Sequence, residues 1–223
     1  MDQLSSWYSD TMTEGMSLRE RKKLQTRHRL LAAATELFAE RGFDKVSVAE
    51  IAEAAEVSKM TVFNYFAGKE DLVLAPMEEH VGDVARTVRD RAPGESALAA
   101  VRGQFLAAVE QRDPSIGMSD VPVVLGVRRL IQETPALLTR AHAFSMRSFD
   151  LLAEVLVEEG EEPAIARVAG AQLIGTRNAL IHANQLRLLA GESADAIAAD
   201  AAVLAERGFA LLAGGLGDFA IRR

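Results

Sequence analysis

Between Ser58 and Lys69 the chain sets Lys59, Met60, Thr61, Asn64, Tyr65 and Lys69 close together. These side chains recognise rather than react: Asn64 offers a paired donor and acceptor, Lys59, Thr61, Tyr65 and Lys69 donate, and Met60 offers apolar contact. Such groups suit base edges and phosphate oxygens. Bond-making constellations are missing. There are no cysteines, which excludes thiol catalysis, thiolate metal ligation and disulfides and suits a reducing cytoplasm. The four histidines, His28, His80, His142 and His182, lie far apart and share no metal-ligand motif. No Gly-x-Ser-x-Gly elbow or Walker lysine occurs. The tail Gly215-Leu216-Gly217-Asp218-Phe219-Ala220 matches a dinucleotide fingerprint in letters alone, since no strand precedes it; it reads as a helix stop and a frayed end. The expectation is a protein that is not an enzyme and takes no cofactor or metal.

The elements that must position these residues are helices. From Ser17 onward, helix punctuation recurs and no alternating β-branched run appears, so the chain is expected to be all-α with about nine helices. Ser17-Leu18-Arg19-Glu20 is a capping box opening helix one, about 17 to 41, with Leu30, Ala34, Leu37 and Phe38 on one stripe and Gly42 as its stop. Ser47-Val48-Ala49-Glu50 is a second capping box, opening a helix at about 48 to 55 with the stripe Val48, Ile51, Ala52 and Ala55. Ser58 caps a third at about 59 to 65. The tight turn Glu56-Val57-Ser58 makes the pair a helix-turn-helix. After Gly68 a long fourth helix is expected to run toward Arg91, kinked or broken at Pro76. About five more follow, and the last two, near 162 to 190 and 194 to 213, are expected to pair antiparallel across a Gly-Glu-Ser turn.

Residues 41 to 72, RGFDKVSVAEIAEAAEVSKMTVFNYFAGKEDL, together with Leu37-Phe38-Ala39-Glu40 before them, resemble the DNA-binding domain of the TetR family of transcriptional regulators. The resemblance rests on Arg41-Gly42-Phe43, the Ser47-to-Ala52 helix, the Val57-Ser58 turn, the aromatic cluster Phe63-Tyr65-Phe66, and Lys69-Glu70. It implies double-stranded operator DNA as partner. The second helix of a helix-turn-helix enters the major groove, which makes Lys59, Met60, Thr61 and Asn64 candidates for base edges. Ser47, Thr61, Tyr65 and Lys69 are candidates for phosphates, the family's Tyr and Lys at these last two positions commonly touching the backbone. Ser47 and Ser58 have the alternative of capping only, and Phe63 and Phe66 are expected to pack. Phe63 stands where the family usually has tyrosine and Met60 where it has a small residue, which leaves base preference open.

The formal charge of -7 argues by itself against a phosphate-coating protein. Charge is uneven, however. Arg19, Arg21, Lys22, Lys23, Arg27 and Arg29 cluster against the single Glu20, and the stretch through Leu74 holds 10 basic and 12 acidic residues, leaving 15 and 20 for the rest. Specific binding is then expected to need two half-sites engaged by a dimer.

The expected organisation is a disordered extension at 1–16, a DNA-binding domain at 17–74, and a ligand-binding and dimerisation domain at 75–223. By resemblance, the last two long helices form a homodimer interface, a small-molecule effector occupies a cavity, and its binding releases a repressor from a palindromic operator. The alternative is a regulator without such a ligand, an activator or one controlled by a partner protein. Candidate cavity groups are Arg128, Gln172, Asn178, His182 and Gln185. Asn178, His182 and Gln185 recur at i, i+4 and i+7 on one helix face, with interface or satisfied buried positions as the alternative. Phe105, Phe144, Phe149 and Met146 are expected in the core. The N-terminus is polar and acidic, unlike a secretory signal, and no apolar run approaches the ~20 residues of a membrane span; a cytoplasmic protein with no membrane contact is expected.

Overall fold

The computed structural model describes residues 17–215. The expected extension at 1–16 and the tail fingerprint beyond Gly215 lie outside the described residues. Among those described there are ten α-helices, one 3-10 turn and no strand: α1 Leu18–Arg41, α2 Val48–Ala54, α3 Lys59–Tyr65, α4 Lys69–Glu79, α5 Asp83–Arg89, α6 Ala97–Glu110, the 3-10 turn Pro114–Ile116, α7 Pro122–Glu133, α8 Pro135–Glu158, α9 Pro163–Leu189 and α10 Ala194–Gly214.

The chain divides into two compact units. One takes the described residues through Ala75 together with Gly126–Leu138, and the other takes Pro76–Leu125 and the described residues from Thr139 onward. In the first unit, Leu30, Ala34 and Phe38 of α1 are buried with Ile51 and Ala52 of α2, Val62 of α3, Phe66, and Leu72 to Ala75 of α4. The Phe38 and Phe43 rings meet at 5.2 Å between centroids, fixing the loop after α1.

The fourth helix departs from expectation. It does not run as one kinked helix to Arg91; α4 continues through Pro76 to Glu79, and the break comes at residues 80–82. Pro76 lacks the amide that would bond the carbonyl of Leu72, which weakens the helix without ending it at once. Three residues on, the backbone tightens: His80 N donates to Met77 O and Val81 N to Glu78 O. The Asp83 carboxylate then sits 2.7 Å from His80 Nδ1, holding the turn and raising the His80 pKa, its burial opposing.

In the second unit α10 packs on both α6 and α9. Its buried face is Ala194, Ile197, Ala198, Ala201, Ala205 and Phe209, a helical stripe of small side chains that lets neighbouring helices approach closely. Phe209 stands edge-on to Phe105 at 5.9 Å, both fully buried. Gly117, after the 3-10 turn, has φ +80°, and a Cβ there would lie 2.8 Å from the Ile181 carbonyl oxygen. Glycine alone meets both demands.

Candidate nucleic-acid interface

Each short helix of the first unit is started by a serine. The Ser47 Oγ accepts from Glu50 N at 3.3 Å, while the Ser47 backbone amide and hydroxyl both donate to Glu50 Oε2, at 2.8 and 2.7 Å. Those bonds, backbone first, with Arg41 adding its guanidinium, hold the Glu50 carboxyl down at about 2. Both Ser47 donors are thereby committed to the cap. Ser58 Oγ accepts from Thr61 N at 3.0 Å and lies 2.8 Å from Thr61 Oγ1.

The turn joining α2 and α3 is closed by Glu56 N donating to Glu53 O and Val57 N to Ala52 O. This is a Schellman pattern, with Glu56 at φ +54° where glycine is usual. Its left-handed conformation costs about 1 kcal/mol. The chain accepts that strain to deliver Ser58 to the start of α3.

Helix α3 is exposed over one arc. At about 100° per residue, Lys59, Phe63, Met60 and Asn64 follow one another around the outward side, all exposed, and Val62 is buried on the opposite side. Met60 is 70% and Phe63 45% exposed, whereas Phe66 is buried. Both phenylalanines are expected to pack; Phe66 is buried, and Phe63 stays exposed. Val62 and Phe66, one helical turn apart, already occupy the inward side, and Phe63 is turned away from them. The Lys59 ammonium lies 5.9 Å from the Phe63 ring centroid.

Thr61 and Tyr65 flank this arc, half-buried. The Tyr65 ring lies 6.4 Å from that of Phe66, over which Arg27 of α1 is set at 5.6 Å. Lys69 faces inward more than its type suggests. Its ammonium donates to Phe43 O at 2.9 Å, lies 3.5 Å from Val46 O, and sits 4.2 Å from the Phe43 ring centroid. Three cationic donors are available on a lysine, and these contacts draw them toward the loop between α1 and α2.

The cavity candidates do not gather on one enclosed surface of α9. Gln172 and His182 are exposed, Gln185 is half-buried beside Gly117, and the Asn178 amide donates to Ser145 Oγ at 2.5 Å. Arg128 belongs to the first unit and is buried, its guanidinium pushed down to about 10 by desolvation. Among the expected core residues Phe105 is buried, Phe144 and Phe149 are half-buried and Met146 is exposed.

The residue missed by sequence reasoning is Arg177. It is 9% exposed, at the centre of the buried stripe of α9, and its Nε has no hydrogen-bond partner. Desolvation lowers its pKa, opposed by the charges of Asp83 and Asp113. A signal existed: Arg177 follows Leu173 at the spacing that continues the apolar stripe Ala166, Gly170, Leu173, Leu180 and Leu188.

Comparison with known proteins places this geometry. The family model described as bacterial regulatory proteins, tetR family, matches residues 30–75. The HTH-type transcriptional regulator TcmR of Streptomyces glaucescens is 36% identical over 125 residues, covering 56% of this chain and 55% of that protein. The HTH-type transcriptional activator FasR of Mycolicibacterium smegmatis is 38% identical over 65 residues, covering 29% of this chain and 30% of its own length. The chain thus matches about half or less of the length of these curated relatives. In fold, GusR of Salmonella enterica is similar with a TM-score of 0.54 at 20% identity, over 86% of this chain and 95% of that one.

Proposed function

We propose that the chain is a member of the TetR family of bacterial regulatory proteins, a transcriptional repressor that binds a palindromic double-stranded operator as a homodimer and leaves it when a small molecule binds; the family-model match over residues 30–75 and the 36% identity to TcmR support this. The observation that carries the DNA-binding reading is the exposed arc of α3, where Lys59 and Asn64 bracket Phe63 and Met60 along a capped second helix. Asn64 is suited to pair bidentately with adenine, and Lys59 to reach guanine. Tyr65, Thr61 and the basic residues of α1 are the phosphate donors in this reading, with Ser47, Ser58 and Lys69 supporting the fold around them.

Dimerisation through α9 and α10 is supported by their outward sides. Val168, Gly175, Ala179 and Leu186 share the exposed side of α9, and Val203, Leu204 and Leu211 are exposed on α10. Apolar patches of this kind mark association surfaces. His182 falls on the same exposed side of α9, which supports a dimer contact over an effector contact for it. No described helix is long and apolar enough to cross a membrane, and the proposed DNA target supports a cytoplasmic location.

The test is selection of genomic fragments by the full chain, followed by titration on the recovered duplex. Asn64→Ala is expected to relax discrimination at one base pair per half-site, costing about 1 to 3 kcal/mol, and Tyr65→Phe to weaken all duplexes alike. Failure to enrich any palindrome would sink the reading. FasR is described as an activator, and a promoter-reporter assay with the gene deleted decides the sign: expression rises for a repressor and falls for an activator.

A further inference from the structure

Two large apolar side chains stand side by side on the surface of a seven-residue helix that buries only Val62. Neither Met60 nor Phe63 contributes to the core that holds α3, so the fold does not explain them. We propose that Phe63 and Met60 read the C5-methyl groups of thymine in the operator's major groove. This rests on the DNA-binding reading above.

The argument is one of complementary surfaces. Thymine is the base that presents an apolar group in the major groove, beside its O4 acceptor, and apolar side chains are what recognise it. On α3 the apolar pair is bracketed by Lys59 and Asn64, so a thymine methyl met by Phe63 or Met60 lies next to the bases those polar groups contact. The Lys59 ammonium near the Phe63 ring adds positive charge at the edge of the apolar pair, matching a duplex rather than an uncharged protein surface. The basic run on α1, Arg19 to Arg29, belongs to the same unit. A tyrosine in place of Phe63 would bring a hydroxyl to the groove; phenylalanine brings apolar surface only.

Removing one methyl and nothing else tests this. In the duplex recovered by selection with the full chain, each thymine is replaced singly by deoxyuridine, and affinities are measured for the wild type, Phe63→Ala and Met60→Ala. The wild type should lose about fourfold in affinity per methyl contacted, the factor for burying one such group, at one or two positions in each half-site. Phe63→Ala and Met60→Ala should each bind the thymine and deoxyuridine duplexes equally at the position they serve, with melting temperatures unchanged because both residues are exposed. A wild type indifferent to every replacement overturns the methyl reading while leaving DNA binding intact. Variants that lose affinity but keep the wild-type thymine preference overturn it too, since the pair would then act on helix position. If no sequence is enriched at all, the DNA-binding reading fails and takes this proposal with it.

Discussion

Replacing Lys69 by methionine separates two roles that one residue type can serve. Methionine keeps most of the stem and removes the ammonium. In the structure that ammonium donates to Phe43 O at 2.9 Å and lies over the Phe43 ring at 4.2 Å. A hydrogen bond from a charged donor is worth about 1.5 to 3 kcal/mol, and a cation over an aromatic face about 0.5 to 1 kcal/mol at a wet site. Lys69 is half-buried, so the low ends apply and the loss is about 2 kcal/mol. For a chain of this length that lowers Tm by about 4 to 8 °C. Operator affinity should be measured at several salt concentrations alongside. If the ammonium is held inside, the slope of log K against log salt stays as in the wild type, provided the unit remains folded at the assay temperature. If it instead neutralises a phosphate, each protomer loses about 0.9 from the slope, about 1.8 for the proposed dimer. An unchanged Tm with a reduced slope would refute the assignment of Lys69 to the loop between α1 and α2.

Two further outcomes follow from the charges. Arg177→Met should stabilise the protein, because it removes a buried guanidinium whose Nε has no hydrogen-bond partner and whose pKa burial lowers; urea unfolding measures this, and a destabilised variant would mean that Asp83 and Asp113 repay the burial. Glu50 titrates at about 2 in the fold against 4.5 ordinarily, so its contribution is present above pH 4.5 and is lost as pH falls toward 2. Glu50→Gln should therefore lower Tm at pH 7 and match the wild type near pH 2; a difference independent of pH would contradict the capping role.

Local signals were the legible ones. The capping boxes at Ser17 and Ser47 involve residues three apart, and the structure begins α1 and α2 where they predict. Ser58 likewise begins α3. The end of α4 was less legible, because Pro76 reveals a missing amide but not how far the helix persists after it. Residues 80–82 take their turn with His80 and Asp83 in contact, a pairing set by the final backbone. The inward set of Lys69 depends on carbonyls 26 and 23 residues earlier, which no helical period can report.

The larger unit teaches a different lesson about polar residues on a helix. Asn178, His182 and Gln185 share a face, yet a shared face says nothing about whether it is turned inward. The apolar stripe supplies that phase: Ala166, Gly170, Leu173, Leu180 and Leu188 define the buried side of α9. At about 100° per residue, Arg177 and Asn184 fall within that stripe and the three earlier candidates about 80 to 140° away from its centre. Asn184 is satisfied, donating to Ile116 O at 3.1 Å, which makes it structural. Arg177 leaves Nε unbonded at the centre of the same stripe. A buried cation incompletely satisfied by its own protein is the group that an anionic molecule entering this unit would stabilise most. If a small molecule enters this unit as proposed, Arg177, rather than the polar row beside it, is the position at which its recognition should first be tested.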